Sequence, residues 1–158
     1  ITGSLDDTWA SISSGWKLVD PNKSAQESIL LEGKIEDEII IFLILRGRRK
    51  KEVNIDNFKK QSRFFERALD SLSNDSIFQA ISTNGMAVAA AMEDDEAVRI
   101  CNKLISRGAI AAGITGSGPA ISVISFIQDS EIIRQSLNDL EYEIVETNFL
   151  KNNILELI

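Results

Sequence analysis

The chain has 158 residues, 44% of them hydrophobic, which suits one compact domain with a substantial core. Its 17 basic and 24 acidic side chains leave a net charge of −7, which opposes a general binder of nucleic acid or of anionic membrane, since both demand positive surface. Histidine is absent and cysteine occurs once, at Cys101, so histidine triads, His-Glu-x-x-His zinc chemistry, disulfide frameworks and multi-cysteine metal sites are excluded.

The opening, Ile1-Thr2-Gly3-Ser4-Leu5-Asp6-Asp7-Thr8-Trp9-Ala10-Ser11, sets two acids ahead of the small-residue stretch Ser13-Ser14-Gly15. Two readings stand for Asp6 and Asp7. They cap a helix N-terminus and complement its dipole, or one of them serves a substrate hydroxyl as general base or orienting acceptor. No signal-peptide pattern opens the chain, and no apolar run approaches the roughly 20 residues of a bilayer span, so a soluble cytoplasmic protein is expected.

Trp16 to Val19 and Ser28 to Ile35 read as strands joined by the turn Asp20-Pro21-Asn22, where proline fixes φ and the polar residues tolerate the bend. Ile39 to Leu45 is a continuous apolar run rich in β-branched residues, expected as a central strand covered on both faces. The basic run Arg46-Gly47-Arg48-Arg49-Lys50-Lys51 follows it. Such a run is either solvated loop surface or, at the end of a central strand, an anion site in which Arg48 and Arg49 grip a carboxylate or a phosphate.

Asn54 is expected to cap a helix carrying Ile55, Phe58, Phe65, Ala68, Leu69 and Leu72, ending near Ser73-Asn74. Ser76 to Met92 forms a second helix, interrupted by Asn84-Gly85, where a ligand or another backbone can approach closely. Asp94 caps a third, with Val98, Cys101, Leu104 and Ile105 on one face, stopping at Gly108. Cys101 therefore reads as core rather than as a nucleophile.

Ala109 to Ile114 and Ala120 to Ile127 read as two strands around Thr115-Gly116-Ser117-Gly118-Pro119. Gly116 and Gly118 permit positive φ and close backbone approach, Thr115 and Ser117 offer hydroxyls, and Pro119 fixes the exit. The turn is either a plain connection or a cradle for phosphate or a small polar substrate. A helix from Asp129 or Ser130, a strand from Tyr142 to Phe149, and an apolar tail at Ile154, Leu155, Leu157 and Ile158, read as a last strand or a contact with another segment, complete the chain. Clustered helices among strands indicate an α+β domain, its helices packed mainly on one face of a mostly antiparallel sheet.

The Thr-Gly-Ser-Leu-Asp-Asp opening and the Gly-Ser-Gly-Pro turn together resemble the GHMP superfamily of small-molecule kinases, and within it the archaeal type of shikimate kinase. Homoserine kinases share a similar turn but carry no acid matching Asp6, and the late loop of mevalonate kinases lacks the proline matching Pro119. The resemblance implies a ferredoxin-like C-terminal domain and an enzyme that uses ATP and Mg²⁺ to convert shikimate to shikimate 3-phosphate in aromatic amino-acid biosynthesis. It makes Asp6 the catalytic acid, with Asp7 as second choice, and sets Thr115, Gly116, Ser117 and Gly118 where substrate meets phosphates. Both segments are expected to serve one pocket.

The sequence departs from the family in lacking its Pro-x-x-x-Gly-Leu-x-Ser-Ser-Ala-type ATP loop and an initiating methionine. It is therefore expected to be the C-terminal portion of a longer kinase, inactive alone, whose N-terminal portion supplies the nucleotide loop and the metal ligands. Ser13-Ser14-Gly15 replaces a glycine pair frequent in the family, beside the bulky Trp9 and Trp16. Related kinases of homoserine or mevalonate, and a ferredoxin-like ligand-binding module without chemistry, are the alternatives.

Overall fold

The computed structural model describes residues 5–35, 38–49 and 51–149. Thr2, Gly3 and Ser4 of the opening, Lys50 of the basic run and the apolar tail lie outside the described residues. The chain divides into two compact units, one drawn from residues 1–37 and 148–158 and the other spanning 38–147.

In the first unit, helix α1 (Leu5–Ile12) carries Asp6 and Asp7 in its first turn. Strands β1 (Trp16–Val19) and β2 (Ile29–Gly33) pair antiparallel, with Trp16 opposite Gly33 and Lys17 opposite Glu32. That register needs glycine at position 33, where a Cβ would lie 2.5 Å from the Trp16 indole nitrogen. The expected turn forms through Asp20, whose Oδ1 accepts the Asn22 N–H at 2.9 Å. The Trp9 indole N–H donates to the Oγ of fully buried Ser28 at 3.2 Å, tying α1 to the start of β2.

The second unit is built on a four-stranded antiparallel sheet of β3 (Ile39–Leu45), β4 (Ala111–Ile114), β5 (Ile121–Phe126) and β6 (Glu143–Thr147), in the order β4-β5-β3-β6. Helices α2 (Ile55–Lys60), α3 (Ser62–Ser73), α4 (Ile77–Ala91) and α5 (Asp95–Ser106) lie between β3 and β4, and α6 (Ser130–Asn138) lies between β5 and β6. This β-α-β-β-α-β plan, with four helices in the first crossover, is the ferredoxin-like arrangement. Phe42, Ile44, Ile121 and Val123 from the sheet, with Leu104 and Ile133 from the helices, are essentially inaccessible and form the core.

Two expectations change. The helix begun at Asn54 is two, broken at Gln61, and Phe58 stacks on Phe65 across the break with ring centroids 6.1 Å apart. Strand β3 is inner in the sheet, but its two faces are covered unequally along the strand: Phe42 and Ile44 are buried, whereas Ile41 and Leu43 on the opposite face are partly exposed and only Ile39 of that face is buried. The helices gather on the first of these faces, so alternation outweighs the continuous apolar run.

The choice at Asn84-Gly85 resolves toward backbone. Gly85 of α4 faces Gly113 of β4 so closely that a Cβ on Gly85 would lie 2.5 Å from the Gly113 Cα. Beside this contact the Ala112 N–H donates to Ser82 Oγ of α4 at 3.2 Å, and Ser82 in turn donates to the Phe78 carbonyl.

Candidate functional site

The chain leaving β3 meets the turn between β4 and β5 and the N-terminus of α5, all within the second unit. A cleft of about 340 Å³ opens there, lined on one side by Arg46, Arg48, Arg49 and Lys51 and on the other by Glu93, Asp94, Asp95 and Glu96. Ile114, Ser117, Pro119 and Tyr142 complete its wall.

The turn closes through two backbone bonds, Gly118 N–H to the Thr115 carbonyl and Thr115 N–H to the Ala120 carbonyl, both 2.8 Å. Gly116, the first central residue, has φ of 51°, and Gly118 has φ of 83°. Glycine meets both demands without steric cost, and hairpin turns of this hand require it. Beyond its chain neighbours, no atom of the described residues lies within 4 Å of where a Cβ on Gly116 would stand, so that side of the turn is open. Among the described residues the N–H groups of Gly116 and Ser117 have no acceptor. Thr115 and Ser117 are partly exposed.

The basic run divides by function. Arg46 is the buried member: its Nη2 donates to Asp94 Oδ1 and Glu96 Oε2, both at 2.8 Å, and its Nη1 donates to Asp94 Oδ2 at 2.9 Å and to the Pro119 carbonyl at 3.2 Å. The side chain is 7% exposed. Asp94 also accepts the Ala97 N–H at 3.0 Å, capping α5 as the sequence predicts. Lys51 pairs with Glu93, whose other carboxylate oxygen accepts from Asn57.

Arg49 donates to Ser117 Oγ and pairs with no acid among the described residues. Arg48 is exposed and has no hydrogen-bond or ion-pair partner among the described residues. Among the described residues these two guanidiniums are thus left without an acidic partner beside the open turn, which is the chemistry of a phosphate or carboxylate site.

Proton affinities follow the pairing. The hydrogen bond to Asp94, working against burial and joined by Glu96, raises the Arg46 guanidinium further above its ordinary range. Burial pushes the Asp94 carboxyl up, but the Arg46 guanidinium and the Ala97 N–H together outweigh it and hold the group below the usual carboxylate range. Donation from the Tyr142 hydroxyl at 2.9 Å, then from Arg46, lowers Glu96, and donation from Lys51, then Asn57, lowers Glu93. All three acids therefore remain charged at neutral pH.

Asp6 and Asp7 are exposed on the first turn of α1, in the other unit. Their place complements the helix dipole, and Asp6 makes no hydrogen bond among the described residues. The structure thus brings Thr115, Gly116, Ser117, Gly118, Arg48 and Arg49 together. Among the described residues no three His, Cys, Asp or Glu side chains are placed to hold a metal ion, and no helix is long and apolar enough to cross a membrane.

Arg46, Glu96 and Tyr142 escape the sequence reading. The signal for Arg46 lay in strand parity, since it continues the buried series Phe42, Ile44 by one further step of two, and an arginine on that face demands buried acceptors. Nothing local marks Glu96 or Tyr142, which come from α5 and from the approach to β6.

No protein-family model matches the chain. It is similar to a shikimate kinase of Methanobrevibacter smithii, with 26% identity over 93% of this chain and 50% of that protein. It is likewise similar to a shikimate kinase of Methanothermobacter thermautotrophicus, with 22% identity over 94% of this chain and 50% of that protein. The chain spans about half the length of both relatives.

Among solved structures, a phosphotransferase related to the CoA biosynthesis pathway superposes with a TM-score of 0.70 at 12% identity, covering 93% of this chain and 49% of that one. The mevalonate kinase of Methanococcus jannaschii superposes with a TM-score of 0.56 at 14% identity, covering 77% of this chain and 45% of that one. The sequence is similar to archaeal shikimate kinases, and the fold is similar to about half of a solved phosphotransferase and of a solved mevalonate kinase.

Proposed function

We propose that this chain carries the C-terminal portion of an ATP-dependent small-molecule kinase, and that the whole enzyme phosphorylates shikimate to shikimate 3-phosphate. The observation that carries the reading is similarity to two archaeal shikimate kinases over more than nine-tenths of the chain. The open turn with its two uncompensated guanidiniums supports it independently, because it offers N–H donors and positive charge to an anion.

In the proposed reaction the substrate hydroxyl oxygen bonds to the γ-phosphorus of ATP, the bond to the β,γ-bridging oxygen breaks and ADP leaves. The hydroxyl proton passes to the Asp6 carboxylate, with Asp7 as the second candidate. Such a transfer asks mainly for alignment and for stabilisation of negative charge spread over the phosphoryl oxygens. The N–H groups of Gly116 and Ser117, the Ser117 hydroxyl and the Arg49 guanidinium supply the second. Arg48 is available to a substrate carboxylate. Mg²⁺ is the usual partner of ATP in this chemistry, but no acidic cluster among the described residues suits it.

The test is ADP release by the full-length protein with shikimate, homoserine and mevalonate offered in parallel. Shikimate alone is expected to support turnover, and Asp6→Asn is expected to lower kcat by about 10² or more with little change in KM, as for a lost proton acceptor. Turnover with another alcohol and not shikimate overturns the substrate assignment, near-normal kcat in Asp6→Asn removes that residue from its role, and no turnover with any of the three leaves a binding module.

A further inference from the structure

We propose that Arg46 is the positioning residue of the open turn, holding the Pro119 carbonyl, and through it the Thr115 to Gly118 backbone, against the N-terminus of α5. The geometry is more than an ion pair that joins two elements. A guanidinium presents five N–H donors in a fixed planar fork, and here four donor contacts run to three places: the bidentate Asp94 carboxylate, Glu96 and the Pro119 carbonyl.

Each anchor is itself fixed. Asp94 is bound to the first turn of α5 through Ala97 N–H, and Glu96 is held on its other oxygen by Tyr142. Arg46 is rooted at the end of β3, one step beyond buried Ile44. Among the described residues, the turn's other side-chain contact to the basic run is Ser117 with the exposed Arg49, which cannot fix the backbone from solvent. The buried fork therefore sets where the turn's free N–H groups point, while Arg46 itself, neutralised by two acids, does not bind the anion.

Lysine at position 46 would keep the charge and an Asp94 contact, but its single nitrogen cannot reproduce the two-nitrogen fork that pairs bidentately with Asp94 while also reaching Glu96 and Pro119. The catalytic arm of the test rests on the kinase reading and the exchange arm does not. In the full-length protein, Arg46→Lys is expected to accelerate hydrogen exchange at the Thr115 and Gly118 amides about tenfold while the β5 amides keep their protection. It is also expected to lower kcat about tenfold or more with KM for the alcohol changed less than about twofold, the mark of misaligned groups rather than lost binding. Glu96→Gln, at the more exposed anchor, is the milder variant should lysine prevent folding, and is expected to loosen the same two amides about two- to threefold.

Turn amides that keep their wild-type exchange in both variants, or that loosen only in step with β5, overturn the proposal and leave Arg46 a general stabiliser. A kcat unchanged despite a loosened turn overturns its link to the reaction. Wild-type protein without kinase activity defeats the functional reading instead, and the exchange result then decides the positioning role alone.

Discussion

Gly85→Ala tests the helix-to-strand contact on which the β4 side of the sheet depends. A Cβ added there would lie 2.5 Å from the Gly113 Cα and 3.0 Å from both the Gly113 carbonyl carbon and the Ile114 nitrogen, where ordinary contact begins at 3.4 Å. All three obstacles are backbone, so no rotamer change relieves them and α4 must lift from β4 by nearly an ångström. Overpacking of this kind costs about 1–3 kcal/mol, and rigid neighbours place it toward the upper end. Helix propensity works the other way, favouring alanine by about 1 kcal/mol. The net expectation is a loss of about 2 kcal/mol. Urea denaturation of the full-length protein reads it as a midpoint lowered by roughly 1 M at unchanged slope. Gly113→Ala, whose Cβ would meet the Gly85 Cα at 2.9 Å and the Ile81 carbonyl at 3.2 Å, should be destabilising too, though less so. A Gly85→Ala midpoint equal to or above wild type would show that the two backbones have room to spare and that the close contact costs nothing.

Gly116→Val places its side chain in open space but at a φ of 51°, so stability should fall by only about 1–2 kcal/mol while turnover in the proposed kinase reaction drops far more, measured per folded molecule. A collapse of stability with activity per folded molecule intact would make the turn a mere connection. Asp94 has a depressed folded-state pKa, so its contribution is full above the unfolded value of about 3.9 and is lost as pH falls through the lower folded value. Asp94→Asn should accordingly flatten the acid limb of the stability profile below about pH 4, and an unchanged limb in a thermal-melt series would contradict the pairing. Cys101 is fully buried and burial pushes its thiol up to about 11, so it should resist alkylation at pH 8 until the protein is unfolded. Rapid labelling of native protein would count against a core role.

Much of this architecture was legible because local chemistry and tertiary packing agree. Asn54 and Asp94 cap helices as their positions predict, Gly108 with φ of 105° follows the end of α5, and the paired glycines mark a turn that needs positive φ. Misreadings arose where distant elements decide. The break at Gln61 leaves the apolar spacing from Phe58 to Phe65 almost untouched, because the two rings stack across it. The unbroken apolar run of β3 hides a strand whose two faces differ in burial, since only the later helices determine which face is covered. At the site, the turn and Arg49 were visible as residue types with suitable chemistry. The partition of the basic run was not, because Arg46 owes its role to an acid 48 residues further along and to a carbonyl beyond the turn.

The seam between α4 and β4 has a consequence for solubility. A border strand with free donors and acceptors invites pairing with another chain, and natural proteins screen such borders. Here Ser82 occupies the Ala112 donor and the glycine contact presses a helix along the strand. Any lesion that detaches α4 uncovers a short, wholly apolar template from Ala111 to Ile114, so variants of this seam should reveal themselves as inclusion bodies or concentration-dependent aggregation before the rest of the sheet gives way.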